Sequence, residues 1–243
     1  MKPPFNMTST NLTSALAILS IALLLNDTHA SKPNILYIMA DDHTWQGIGS
    51  YGSHLKEVCP TENIDRLASE GMLFKNVYCT NSICTPSRAS ILSGQYSHKN
   101  GLMTLVDTWD RDHQPNLAVE LQKAGYETAI IGKWHLHSEP IGFDYYKVLP
   151  GQGLYFNPLL KEKGKPWQDH NDGGEVYEGH SSDVIGNETL KWLSEQRDTD
   201  KPFFLMCHFK APHGIWENAP RFDELYADVD IPEPHSLFED KSD

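Results

Sequence analysis

The chain has 243 residues, a formal net charge of −13 and a hydrophobic content of 39%. This length and composition suffice for one substantial core and exclude an intrinsically disordered chain. The acidic balance argues against a nucleic-acid-binding protein, because phosphate binding needs a basic face and the sequence shows none.

The first thirty residues predict an export signal. Residues 14–25 (SALAILSIALLL) form an apolar run with the length of a signal-peptide core, and Thr28, His29 and Ala30 follow it in a small-x-small cleavage pattern. The run is short for a membrane span, although an uncleaved interfacial anchor is the alternative. We therefore predict a signal peptide at residues 1–30, a mature chain at residues 31–243 with no stable membrane insertion, and a periplasmic or secreted location.

Short apolar runs alternate with amphipathic segments along the mature chain. Glycine, proline and aromatic residues are frequent in one long segment, which we interpret as a loop. The sequence predicts strands at 34–40, 72–79, 126–132 and 203–209, helices at 61–68, 86–92, 116–124 and 182–196, and the loop at 142–165. Strands that alternate with helices indicate an α/β fold with a largely parallel central sheet flanked by helices.

Polar side chains follow three of the predicted strands. Asp41 and Asp42 follow the first strand, Lys133 and His135 follow a later one, and His213 follows the last. Ligands of open α/β sheets bind just beyond the carboxyl ends of the strands. The sequence therefore predicts a functional site at one edge of the sheet.

A cysteine begins the segment CTPSRASILSG at residues 84–94, at the start of a predicted helix. On chemistry alone, Cys84 is a candidate low-pKa thiolate, because helix-terminal N–H groups favour negative charge. The segment resembles the signature of the formylglycine-dependent sulfatases of the alkaline-phosphatase superfamily, in which a Cys-x-Pro-x-Arg core directs oxidation of the cysteine to an aldehyde. The resemblance implies that a formylglycine-generating or sulfatase-maturating enzyme converts Cys84 to formylglycine, and that Arg88 stabilises charge on its hydrate and on sulfate.

The adjacent carboxylates Asp41 and Asp42 repel each other unless a cation lies between them, so they indicate either a capping turn or a divalent metal site. All-oxygen ligation favours calcium or magnesium over zinc. The sulfatase resemblance implies that Asp41, Asp42 and the modified Cys84 bind Ca²⁺, with Mg²⁺ as the alternative.

Two further segments resemble sulfatase elements, GKWH at 132–135 and KAPH at 210–213. The resemblance implies that Lys133 binds sulfate oxygens and that His213 binds the bridging oxygen and protonates the leaving alcohol. It implies that the hydrate of formylglycine attacks sulfur and that His135 then deprotonates the second hydroxyl, which expels sulfate. In isolation, GKWH would be a solvated loop lysine beside a surface histidine.

Four other residues near these motifs carry weaker expectations. His98 is a candidate for substrate binding at the sugar site. For Trp134 and His208 we expect core packing, and for Lys210 a solvated loop position.

The resemblance runs from about Pro33 to the end of the chain and looks closest to bacterial N-acetylglucosamine-6-sulfatase-like and mucin-desulfating members. It implies a sulfuric ester hydrolase that acts on a sulfated carbohydrate. A phosphonate or phosphate ester hydrolase of the same superfamily is one alternative, and a non-catalytic binder of sulfated glycans is the other. Because the family's domain continues with an Asp-Asn pair and a further lysine, we expect residues 31–243 to be its N-terminal part, incomplete at the C-terminus and poorly active alone.

Overall fold

A computed structural model describes residues 32–168 and 170–237 of the chain. The predicted signal peptide at residues 1–30 lies outside the described residues. From Asn34 onward the described residues form one compact unit. Within the described ranges, every helix is too short or too polar to cross a bilayer.

Six strands and five α-helices make up the described part of the chain. The strands are β1 (Ile35–Met39), β2 (Glu127–Lys133), β3 (Tyr145–Leu149), β4 (Leu159–Glu162), β5 (Glu175–Val176) and β6 (Phe203–His208). The helices are α1 (Glu62–Glu70), α2 (Cys84–Ser93), α3 (Ser97–Asn100), α4 (Leu117–Lys123) and α5 (Ser181–Lys191). A π-helical turn continues α5 through Trp192–Gln196.

The strands form one sheet in the order β1-β6-β2-β3-β4-β5. β1, β6, β2 and β3 are parallel to one another, whereas β4 and β5 are each antiparallel to the strand before them in this order. Alternate residues of the central strands β2 and β6 enter two separate hydrophobic clusters, because successive side chains of a strand point to opposite faces. Both faces of the sheet are thus covered, which confirms the predicted α/β fold with a largely parallel sheet.

The predicted strand at 72–79 is wrong. The segment is irregular, and its apolar side chains are exposed, with 75% of Met72, 73% of Val77 and 83% of Tyr78 accessible. Alternation of apolar and polar residues yields a strand only where a neighbour completes the hydrogen-bond ladder, and no strand of the described sheet pairs with this segment.

The predicted loop at 142–165 is also wrong in part, because it contains β3 and β4. Tyr146, Val148 and Leu160 are fully buried in the two clusters. The glycines and prolines of this segment stand outside the strands, so they mark the turns that begin and end them.

Gly132 allows the central strands to approach each other closely. It lies in β2 opposite His208 of β6 and has a φ of +105°, a conformation that residues with a Cβ atom rarely adopt. A Cβ atom at this position would lie 1.9 Å from the carbonyl oxygen of His208. The glycine of the GKWH segment is therefore a requirement of the sheet at the point where Lys133 enters the site.

We expect Gly132→Ala to lower the free energy of unfolding by about 2–4 kcal/mol, because it combines a strained φ with a backbone overlap. Urea denaturation followed by tryptophan fluorescence measures the change. Gly186→Ala is the matched control, since Gly186 lies inside α5 with open space around its Cα. That control should be neutral or more stable by up to about 1 kcal/mol. Equal midpoints for the two variants would contradict the packing argument.

Candidate active site

Three neighbouring parallel strands end at the same edge of the sheet. β1 is followed by Asp41 and Asp42. β6, which lies between β1 and β2 in the sheet, is followed by Lys210 and His213. β2 ends at Lys133 and leads to His135. Helix α2 begins at this edge, where the hydroxyl of Thr85 donates to the carbonyl of His135 at 3.0 Å.

Asp41 is the buried centre of the site. Its Oδ1 accepts from Nη2 of Arg88 at 3.2 Å, and its Oδ2 accepts from the ammonium of Lys133. Its own N–H donates to the carbonyl of Ala211 at 3.1 Å, which holds the segments after β1 and β6 together. Burial pushes the pKa of Asp41 upward, but Arg88 and Lys133 outweigh it and hold the pKa below its usual value. The carboxylate is therefore charged across the physiological range.

Arg88 connects all three strand ends from its place on α2. Besides its ion pair with Asp41, its Nη1 donates to the carbonyl of Lys133 at 2.7 Å and to Nδ1 of His208 at 3.3 Å. Burial lowers the pKa of Arg88 and Asp41 opposes the shift, and a guanidinium stays protonated in proteins.

His208 is buried in the core as expected, yet it also contacts the site. Nδ1 of His208 lies 3.3 Å from Nη1 of Arg88, which can only donate, and 3.1 Å from the carbonyl oxygen of Lys133, which can only accept. It accepts from the guanidinium in one neutral tautomer and donates to the carbonyl in the other. Burial, followed by the charge of Arg88, lowers the pKa of His208 to about 3.

Cys84 begins α2 and is half-buried between opposite charges. Its Sγ lies 3.8 Å from Oδ1 of Asp41 and 4.0 Å from Nζ of Lys133. Burial raises the pKa of the Cys84 thiol, Lys133 opposes the shift, and Asp41 adds to it. The unmodified side chain is thus a protonated thiol, which disagrees with the low-pKa thiolate that the helix start alone suggested.

Lys133 is completely buried, so the solvated loop lysine that GKWH suggests in isolation is excluded. Its ammonium donates to Asp41 and to the side-chain carbonyl of Gln152. Burial lowers the pKa of Lys133, and Asp41 opposes the shift. An ammonium fixed by two acceptors, 4.0 Å from Cys84, can bind an anionic group placed on that side chain.

His135 and His213 differ in environment. His135 is 4% exposed, and burial, followed by the charges of Lys133 and Arg88, lowers its pKa to about 3, so the ring is a neutral imidazole. His213 is half-buried, with Nε2 3.7 Å from Oδ2 of Asp42. Its carbonyl accepts from the hydroxyl of Tyr155 at 2.5 Å, which fixes the loop after β6.

Asp41, Cys84 and His213 each place one potential ligand atom within 4.8 Å of the others. Asp42, predicted as a ligand, has a side chain that is 55% exposed and lies beside this group, on His213. The carboxylate oxygens of Asp41 and of the neighbouring Asp42 suit a hard cation, whereas the unmodified thiol of Cys84 and the imidazole of His213 are ligands that softer metals prefer.

The remaining predicted residues lie in varied places. Trp134 is buried against Phe143, as expected for core packing. His98 is exposed on α3 and stacks on Tyr96, and no hydrogen bond or ring contact in the described ranges joins it to the site. The solvated position expected for Lys210 is wrong, because Lys210 is 5% exposed and its ammonium lies over the Tyr155 ring.

Sequence reasoning missed three residues at this edge, Gln152, His137 and His170. Gln152 and His170 lie in irregular segments, where no periodicity indicates which residues turn inward. His137 stands two residues after His135, and that spacing was the one available signal.

The chain is similar in sequence to known proteins. A family model described as Sulfatase matches residues 33–237. N-acetylglucosamine-6-O-sulfatase of Bacteroides thetaiotaomicron is 43% identical over 232 residues, which cover 93% of this chain and 39% of that protein. Arylsulfatase G of Rattus norvegicus is 42% identical over 135 residues, which cover 51% of this chain and 25% of that protein.

A solved structure is also similar to this chain. It holds a protein in complex with its substrate D-glucosamine-2-N,6-O-disulfate, and it matches with a TM-score of 0.78 and 42% identity over 86% of this chain. The match covers 40% of that structure's chain. The chain therefore spans about two fifths of the length of the N-acetylglucosamine-6-O-sulfatase and of the protein in the solved complex.

The lowered pKa of His208 predicts acid sensitivity. Its pKa is about 3 in the folded chain against 6.5 ordinarily, so the unfolded chain takes up a proton that the folded chain refuses. The contribution of the neutral His208 to the free energy of unfolding is complete above pH 6.5 and is lost as the pH falls toward 3. His208→Asn keeps an acceptor for Arg88 but cannot titrate. Between pH 4.5 and 5.5, the free energy of unfolding should rise with pH less steeply in His208→Asn than in the wild-type chain, by about 1.4 kcal/mol per pH unit.

Urea titrations at a series of pH values measure this slope. His113→Asn is the matched control, because the side chain of His113 is 82% exposed. An unchanged slope in His208→Asn would contradict a neutral, buried His208.

Proposed function

The chain belongs to the sulfatase family, and from that premise we propose that it hydrolyses sulfuric esters of sulfated carbohydrates through a formylglycine at position 84. The observation that carries the proposal is the place of Cys84 at the start of α2, 3.8 Å from Asp41 and 4.0 Å from the ammonium of Lys133. Since the chain spans 39% of its N-acetylglucosamine-6-O-sulfatase relative, the activity of the whole protein is part of the proposal.

The proposed substrate is a sulfated amino sugar. The 43% identical relative is named an N-acetylglucosamine-6-O-sulfatase, and the similar solved structure holds a disulfated glucosamine as its substrate. These names favour a sulfuric ester over the phosphonate or phosphate ester alternative.

The site supports the two groups that the family implies. Hydrated formylglycine supplies one hydroxyl that accepts the sulfuryl group and a second hydroxyl whose deprotonation releases sulfate. Asp41 and Asp42, together with the modified Cys84, would hold Ca²⁺, or Mg²⁺ as the alternative, and the ion supplies positive charge near the sulfate oxygens. The buried, charged carboxylate of Asp41 supports this assignment, and the ammonium of Lys133 on its Oδ2 would have to yield that oxygen to the ion.

Four side chains carry the remaining chemistry. Arg88 and Lys133 place fixed positive charge beside position 84, where they stabilise a charged sulfuryl group. His213 gives a proton to the leaving alcohol. His135 accepts a proton during sulfate release, a role that suits a neutral imidazole whose Nδ1 is buried without a hydrogen-bond partner in the described ranges.

We also propose the cellular context that the chemistry requires. A formylglycine-generating or sulfatase-maturating enzyme would oxidise Cys84, and the signal peptide at residues 1–30 would direct export to the periplasm or beyond the cell.

Mass spectrometry of the chain after coexpression with a formylglycine-generating enzyme tests the modification. We expect formylglycine at position 84 and an unchanged thiol at Cys79, an exposed cysteine that serves as an internal control. Arg88→Lys should greatly reduce conversion, because it alters the Cys-x-Pro-x-Arg core. An unmodified Cys84 in the wild-type chain would contradict the proposal and favour the non-catalytic glycan binder.

Sulfate release from N-acetylglucosamine 6-sulfate tests the reaction. Single-turnover assays with the matured chain in excess detect even weak chemistry, and Cys84→Ala should abolish it. Hydrolysis of an aryl phosphonate without hydrolysis of any sulfate ester would assign the site to the alternative reaction.

The role of His213 predicts a dependence on the leaving group. His213→Asn should slow single-turnover cleavage of a sugar sulfate by about 10²-fold or more, because an alcohol is a poor leaving group without a proton. Cleavage of an activated aryl sulfate should change far less. His113→Asn is the surface control. An equal loss on both substrates would assign His213 to binding and not to proton donation.

A further inference from the structure

Three histidines form a cluster beside the active site. His135 and His137 follow β2, and His170 comes from the irregular segment before β5. One potential ligand nitrogen of each lies within 4.8 Å of the others. The ring centroids of His137 and His170 are 3.5 Å apart, and His135 lies 5.4 Å from His170 and 5.7 Å from His137.

The polar atoms of this histidine cluster are not all satisfied by protein groups. Nδ1 of His135 and Nε2 of His137 are buried and have no hydrogen-bond partner in the part of the chain that the structure describes. A buried polar atom without a partner costs about 1–3 kcal/mol, so native structures normally provide one. An ion bound by the nitrogens of this cluster would supply a partner that the protein groups do not.

The backbone is strained where it presents these rings. His135 and His137 have φ angles of 52° and 67°, in the left-handed region that costs a residue with a Cβ atom about 1–3 kcal/mol. Strain of this kind persists where the surrounding structure requires a particular direction of the side chains. The two left-handed residues turn the rings of one short segment toward the same neighbour, His170.

We propose that His135, His137 and His170 form a transition-metal site, with Zn²⁺ as the representative ion. Three neutral imidazoles with one open position are a donor set that zinc, copper and nickel prefer, whereas calcium and magnesium prefer oxygen. This cluster has imidazole ligands alone, whereas the group around Asp41 combines a carboxylate, a thiol and an imidazole. The stacked rings must turn so that their nitrogens come to roughly 3.4 Å from one another, as Zn–N bonds of about 2.0–2.1 Å in a tetrahedron require.

Metal binding has a consequence for catalysis, and this consequence rests on the proposed function. His135 belongs to the histidine cluster and is also the proposed proton acceptor in sulfate release. An ion that occupies its lone pair therefore removes it from proton transfer. Zn²⁺ therefore acts as a reversible inhibitor of sulfate release, although neither His137 nor His170 takes part in the reaction.

Co²⁺ titration of the full chain tests the site directly. The protein carries no histidine tag, and excess Ca²⁺ is present to occupy the carboxylates of Asp41 and Asp42. We expect one equivalent of Co²⁺ with visible d–d absorption and without the ultraviolet charge-transfer band that thiolate ligands produce. His137→Gln and His170→Gln should each weaken binding by more than about 100-fold, because loss of even an outer-sphere partner costs 10- to 100-fold.

His113→Gln, on the surface, should bind Co²⁺ like the wild-type chain. Circular dichroism and urea midpoints establish that the two cluster variants are folded. The proposal is overturned if Co²⁺ does not bind, if the band shows thiolate ligation, or if folded His137→Gln and His170→Gln both bind as tightly as the wild-type chain.

Inhibition provides a separate measurement. Zn²⁺ should slow single-turnover sulfate release by the wild-type chain, a chelator should restore it, and His170→Gln should resist the ion. Metal binding without inhibition would leave the site standing and overturn the role of His135 in turnover. Absence of sulfate release at all would bear on the proposed function alone, because Co²⁺ absorption needs no activity.

Discussion

The buried ion pair between Arg88 and Asp41 is the interaction on which the functional edge depends. Arg88 reaches from α2 to the ends of three neighbouring strands, β1, β6 and β2, through the Asp41 carboxylate, the carbonyl of Lys133 and the ring of His208. Removing one partner of a buried pair leaves an unpaired charge at a cost of about 3–5 kcal/mol. The pair therefore fixes the positions of β1, β2 and β6 relative to the helix that carries Cys84.

The same network explains how an acidic protein can accept an anion. The chain carries a formal charge of −13, so its overall field repels sulfate. At the edge of the sheet, however, the buried Asp41 carboxylate pairs with two buried cations, Arg88 and Lys133, so the buried groups carry an excess of positive charge. Because these groups are buried, solvent screens that charge weakly. The surplus lies 4.0 Å from Cys84, where a sulfuryl group would be transferred.

Much of the fold could be predicted because the central strands are continuous apolar runs. The observed bounds of β1, β2 and β6 agree with the predicted ones to within one residue, since a continuous apolar run marks a strand without information on its partners. β2 and β6 are buried on both faces, whereas β1 lies at the edge of the described sheet with Leu36 and Ile38 exposed. The segment at 72–79 has strand-like alternation but lacks a neighbour in the described sheet. In 142–165, glycine and proline conceal two short strands whose stability comes from pairing with each other and with β2.

The site residues that could be predicted from the sequence are likewise those that follow regular strands. Asp41, Lys133 and His213 follow strands, so topology alone brings them to one edge, and the Cys84 segment adds the chemistry. Gln152 reaches Lys133 from an irregular segment, and no local pattern marks a residue that is placed by tertiary packing.

Backbone strain at this edge connects the two proposed sites. Four non-glycine residues in the described ranges have positive φ angles, and three of them, Asp42, His135 and His137, follow β1 or β2 within a few residues. Each costs about 1–3 kcal/mol, which the buried core of β2 and β6 and the Arg88 network offset. Strain concentrated where strands end aims side chains in directions that regular structure does not permit. The protein thus gives up stability at one edge in order to direct carboxylates and imidazoles toward ligands.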